Sequence, residues 1–143
     1  MQKTRKMYIN DLNFRVEFSS YAEKHFCKDF LKKYKIKKWL STKQTINDIL
    51  EKAFGFQQTN LIDIIKYSAE ENRGIFKLDF RVAGTDDSPK SSGNRAIFAL
   101  CNKTGKIEIL LVYGKDHCKK KQSETQWFLE HVKNNFPEYK NHC

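Results

Sequence analysis

IFKLDFRVAG (75–84), TDDSPKSSGN (85–94) and RAIFALCNKTGKIEILLVYGKDH (95–117) form the stretch on which the reading of the whole chain turns. The first run alternates: Phe76, Leu78, Phe80 and Val82 share one face of a strand, and Lys77, Asp79 and Arg81 the other. A polar loop follows, then a second strand-like run from Arg95 to Cys101. Asn102 to Gly105 has hairpin-turn composition, with Gly105 free to take a positive φ. A third run, Lys106 to Tyr113, ends in Gly114-Lys115-Asp116-His117. This pattern predicts an antiparallel sheet with one apolar face, and cations and one histidine gathered on its polar face and at its strand ends.

Working outward, Leu12 to Ser19 predicts an earlier strand, with Phe14, Val16 and Phe18 on one face. Ser20 to Glu23 has the spacing of a capping box and predicts a helix start; Phe26, Cys27, Phe30, Leu31 and Tyr34 form its apolar stripe. Lys35 to Leu40 reads as a basic connector anchored by Trp39; Ser41 to Gln44 then has the same spacing and predicts a second start, followed by Ile46, Ile49, Leu50 and Ala53, with Gly55 as the stop. The two make an N-terminal helical hairpin with lysines outside. Residues 60–68 predict another strand. Ser123 to Gln126 predicts a C-terminal helix carrying Trp127, Phe128 and Val132, stopped by Pro137. The expectation is one α+β domain over residues 1–143. Residues 1–11 are loosely ordered, 12–118 form the core, and 119–143 supply a basic loop and the last helix.

At 143 residues the chain is long enough to bury a core, and eleven phenylalanines should fill much of it. The formal net charge of +10 points to a polyanionic partner, nucleic acid first. No apolar run is long enough to cross a bilayer and no secretory signal opens the chain, so the cytoplasm is the expected location. Cys27, Cys101, Cys118 and Cys143 are scattered without CxxC spacing. Neither a cofactor nor a metal is expected: Cys118, His117 and Cys143 lack the two close ligand pairs of a zinc site.

Nucleotide-binding, zinc-protease and serine-hydrolase signatures are absent from the sequence, and Asp86-Asp87 reads as turn chemistry. What remains is Lys77, Arg81, Lys90, Arg95, Lys115 and His117. Those residue types suit metal-free RNA cleavage. That reaction needs a base for the 2′ proton, an acid for the 5′ leaving oxygen, and cations for the charge that builds on phosphorus. Arginine grips two phosphate oxygens and stays charged, and histidine exchanges protons near neutral pH. Each residue also has a plainer reading. Arg95 can pair with Asp79 across neighbouring strands, Lys90 can be a loop lysine, His117 an idle surface residue, and Tyr113 a packing ring. Lys119, Lys120 and Lys121 read as a general electrostatic patch.

The order of parts, with Ser92-Gly93-Asn94-Arg95 opening a strand, a hairpin, and the strand end ILLVYGKDH, resembles the RelE/ParE superfamily of bacterial toxins over roughly residues 12–118. The resemblance implies a small basic endoribonuclease of a type II toxin–antitoxin system that cuts mRNA, in many members at the ribosome, and is blocked by a cognate antitoxin. By position it matches Arg95 to the family's arginine after the glycine turn, Lys77 and Arg81 to basic positions on the preceding strand, and Lys115 and His117 to basic or acid/base positions after the last strand. The expected catalytic set is then Arg81, Arg95, Lys115 and His117; Lys77, Lys90, Lys119, Lys120 and Lys121, read from their charge, are expected to bind RNA. Asp79 stands where some members carry lysine. No residue matches the C-terminal catalytic tyrosine of some members, and the helical hairpin is longer than usual. Two rival readings remain: a ParE-like inhibitor of DNA gyrase without nuclease chemistry, and a non-enzymatic nucleic-acid-binding module.

Overall fold

The computed structural model describes residues 14–52, 60–101, 104–118 and 122–142. In chain order its elements are β1 (Arg15–Phe18), α1 (Ser20–Ala22), a π-helical turn (Glu23–Cys27), α2 (Lys28–Lys52), β2 (Ile62–Ser68), β3 (Arg73–Phe80), α3 (Pro89–Ser92), β4 (Asn94–Cys101), β5 (Lys106–Tyr113) and α4 (Glu124–Asn135). Short 3-10 turns follow β5 and α4. No described helix is long and apolar enough to cross a membrane.

Five strands form one sheet in the order β1-β5-β4-β3-β2. The expected antiparallel core is there: β3 pairs with β4, β4 with β5 and β2 with β3, all antiparallel. The sheet as a whole is mixed, because β1 lies parallel to β5. The two are far apart in the chain: the helices after β1 carry it to the far edge of the sheet, and β2 to β5 return it strand by strand to lie beside β1. Four residues of β1 cover only Lys106 to Ile109 of β5. Beyond them Ser19 takes over, its hydroxyl donating to the Leu110 carbonyl and accepting from the Ala22 amide. Ser19 is therefore the helix cap, one residue before the expected start.

The predicted alternation holds in β3. Phe76, Leu78, Phe80 and Val82 are all buried, and the helical segment packs on that face. Phe30 stacks on Trp39 at 4.7 Å, and both rings meet Phe80. Fully burying rings of this size stabilises the fold by about 2–3 kcal/mol each. The opposite face is covered as well. Ile75, Ile97, Leu111 and Tyr113 are buried there, and Tyr113 meets Trp127 of α4 at 4.8 Å. As predicted, Ser123 and Gln126 close a capping box at the start of α4.

The helical segment meets expectation in one respect and departs in another. The chain breaks at Lys35, the first residue of the expected connector, at φ 73°, ψ 162°; helix then resumes at once instead of at Ser41. Trp39, Thr42, Ile46 and Leu50 form one buried stripe straight through the expected capping box. Packing of that stripe outweighs the local cap. The Thr42 hydroxyl instead donates to the Lys38 carbonyl and accepts from the Ala83 amide, tying the helix to the end of β3. The expected stop at Gly55, Ala53, residues 1–11 with Leu12, and Lys119, Lys120 and Lys121 lie outside the described residues.

Candidate functional site

The register places the expected site residues in two groups. Asp79, Arg95 and Tyr113 stand side by side across β3, β4 and β5, so their side chains share a face. That face is the one α4 covers. Arg95 Nε lies 3.0 Å from Asp79 Oδ1 and 3.8 Å from Glu124 Oε2. Its Nη1 donates to the carbonyls of Pro89 and Asn94, and its Nη2 to that of Lys90. With 14% of its side chain exposed, this arginine has partners for four of its five N–H groups. It fastens the 89–94 loop to the sheet.

Lys77, two residues along the same face of β3, has Nζ 3.9 Å from both Asp63 and Glu124. The Tyr113 hydroxyl donates to Glu124 Oε2 at 2.7 Å. Burial and that acceptor both push the Tyr113 phenol up, so it stays protonated. Burial also pushes the Asp79 carboxyl up, against the pull of Arg95 and Lys77. Its Oδ1 is buried without an aligned hydrogen bond among the described residues, which fits the direction of that shift.

The second group lies at the ends of the strands, on the side of the helical segment. Here Asp29, Lys33 and Tyr34 of α2 face Asn94, Lys115 and His117 across a cleft of about 450 Å³. The Gly114 amide donates to His117 Nδ1 at 3.0 Å, which assigns the proton to Nε2; that N–H meets Asp29 Oδ2 at 3.1 Å. Phe26 and Phe30 hold the imidazole edge-on and face-on, at 5.3 and 5.9 Å. The ring is thus fixed in orientation and tautomer.

Lys115 lies across Gly93. A Cβ at that glycine, which has φ +78°, would come within 2.5 Å of the lysine stem. Lys33 is 3.6 Å from the exposed Asp116. The cleft therefore sets two ammonium groups and an oriented imidazole among three carboxylates, Asp29, Asp87 and Asp116, within one concavity. The ammonium groups can hold phosphodiester oxygens, and a carboxylate can take a proton beside them.

Of the four residues expected to be catalytic, Lys115 and His117 line this cleft, while Arg95 points into the covered face. Arg81 is exposed just past the end of β3 and does not line the cleft. Lys90 is exposed on α3. Sequence reasoning missed Asp29, Lys33, Tyr34 and Asn94. One signal was present for the first: Asp29 is the only acid in the run KHFCKDFLKKYKIKK (24–38).

No family model and no curated protein matches the chain. Among solved structures, a chain of an archaeal RelE–RelB complex from Pyrococcus horikoshii OT3 is similar in course. It aligns over 74% of this chain and 99% of its own length, with 11% identity and a TM-score of 0.45. A likeness of that strength carries no argument about this chain's family, activity or partners.

Proposed function

We propose that this protein is a RelE-like toxin: a metal-free endoribonuclease that cuts mRNA at the ribosome and is held inactive by a cognate antitoxin. The observation that carries the reading is the cleft, where Lys115, Lys33 and the Asp29–His117 pair converge. The strand motifs that resemble the RelE/ParE superfamily and the net charge of +10 support it.

In the reaction, Lys115 and Lys33 hold the scissile phosphate and offset the charge on the phosphorane, with Arg81 and Lys90 adding positive potential from outside the cleft. The 2′ oxygen attacks phosphorus as its proton passes to Asp29. The P–O5′ bond breaks, and the leaving oxygen takes a proton from the Lys115 ammonium, while the Nε2–H of His117 holds Asp29 in place. Asp29 then passes its proton through solvent to the Lys115 amine, so both groups end as they began. The products are a 2′,3′-cyclic phosphate and a 5′-hydroxyl. Arg95 serves by holding the 89–94 loop, and Lys119, Lys120 and Lys121 engage ribosomal RNA.

Induced expression in a bacterial host, with mRNA 5′ ends mapped on and off ribosomes, tests this reading. Growth arrest with new cuts at ribosomal positions is expected for the wild type, and neither arrest nor cuts for His117→Ala. One feature favours a second reading. Both ring nitrogens of His117 and most of the Arg95 guanidinium are engaged, which suits a protein that binds gyrase or nucleic acid without cleaving anything. Arrest without cuts, unchanged in His117→Ala, would establish a binder.

A further inference from the structure

Beside the cleft lies a second concavity of about 500 Å³, lined by Lys35, Lys37, Lys38, Ser41, Ala83 and Gly84 and sharing Lys33 and Tyr34 with the first. Tyr34 thus stands at the boundary between the two. Phe30 backs its ring in a stacked arrangement at 6.2 Å and 20°, and Lys33 Nζ rests over the ring at 5.3 Å. The ring is half-buried and braced from below, the condition under which an aromatic side chain acts as a platform for a base.

The lysines on either side are seated in the same way. Lys115 lies over Gly93 in the cleft, and Lys38 lies over Gly84 in the groove, within 3.2 Å of where a Cβ would stand. Both glycines have positive φ, +78° and +83°, so each loop turns sharply and leaves its Cβ space to a lysine stem. Cation, aromatic plate and cation follow one another along the surface. A single-stranded nucleic acid presents phosphate, base and phosphate in that same succession.

We propose that the groove is a subsite for single-stranded RNA: a base stacks on Tyr34 in place of the Lys33 ammonium, and the flanking phosphates sit on Lys115 and Lys38. This rests on the endoribonuclease reading and adds to it the path by which the strand enters the cleft. Duplex RNA, with its bases already stacked on one another, has no face to offer Tyr34.

The test is fluorescence anisotropy with a labelled 2′-O-methyl oligouridine decamer, which the 2′-hydroxyl mechanism cannot cleave, beside a duplex of equal length. Tyr34→Ala should weaken single-strand binding roughly tenfold or more and leave duplex binding unchanged, while Tyr34→Phe keeps wild-type affinity. Lys38→Ala and Lys115→Ala should each lower the slope of log affinity against log salt by about 0.7. Tyr34→Phe also reports on folding, since it keeps the stack on Phe30. Equal losses for single strand and duplex, or equal losses in both tyrosine variants, would overturn the subsite. So would unchanged single-strand affinity in Tyr34→Ala, which would leave the groove to an acidic protein. Binding that depends on Tyr34 in a protein that makes no cuts would retain the subsite and reject the nuclease. Failure of the wild type to bind the decamer would overturn the subsite, while the mapped cuts at the ribosome decide the nuclease reading separately.

Discussion

The two faces of this sheet carry nearly the same chemical groups and put them to opposite uses. On the face under α4, Arg95 and Lys77 are surrounded by Asp79, Asp63, Glu124 and three loop carbonyls. At the strand ends below α2, Lys115 and Lys33 stand with His117, Asp29, Asp87 and the exposed Asp116 around open space. A buried cation must be paired, because leaving it unpaired in a low-dielectric interior costs several kcal/mol. A cation at a strand end keeps its hydration and can exchange it for a phosphate. Position along the strand, more than residue type, decides which arginine or lysine is available for chemistry.

Arg95→Ala should have the largest effect on folding. It strands Asp79 in the interior and frees the 89–94 loop, and urea unfolding should show a loss of about 3–5 kcal/mol. An unchanged midpoint would mean that the guanidinium is not the fastener it is taken to be. His117→Ala should act more on cleavage than on folding. It removes one hydrogen bond to the Gly114 amide and two ring contacts, so stability falls by less than in Arg95→Ala, about 1–2 kcal/mol, while cleavage drops about 100-fold or more because Asp29 loses the group that holds it. Equal damage to stability would make His117 a packing residue.

Lys35 offers a smaller test of the helix break. Its backbone stands in a region that only glycine enters without strain, so Lys35→Gly should stabilise the fold by about 1 kcal/mol. A destabilised Lys35→Gly would remove the claim of strain. The smallest effect concerns Asp79. Its carboxyl is raised in the folded state, so ionisation in the folded protein costs stability, and that cost is relieved as the group protonates. The wild type should therefore gain on Asp79→Asn as pH falls toward the ordinary carboxylate value of 3.8. The opposite trend in paired melts would mean that Arg95 outweighs burial there.

Much of this arrangement was legible in the sequence. Alternation in 76–82 placed the apolar face of β3, Gly105 the β4–β5 hairpin, and Ser123 with Gln126 the cap of α4, because each signal is local. Two things were not legible. The parallel partner of β1 and the covering of Arg95 by Glu124 depend on which elements meet, and nothing in the neighbouring residues encodes that. Asp29 and His117 lie 88 residues apart and meet only because α2 crosses the end of β5. The capping-box spacing at Ser41 misled for a related reason: a buried stripe running through it, from Trp39 to Leu50, decided where the second stretch of helix would begin.

The central claim is that the reactive cations are those in the open cleft and not those on the covered face. The most direct test is to map mRNA 5′ ends after matched induction of Lys115→Ala and Lys77→Ala. Lys115→Ala should abolish the ribosomal cuts, and Lys77→Ala should leave them at wild-type frequency. Cuts that vanish in Lys77→Ala and persist in Lys115→Ala would contradict the account and move the site to the face under α4.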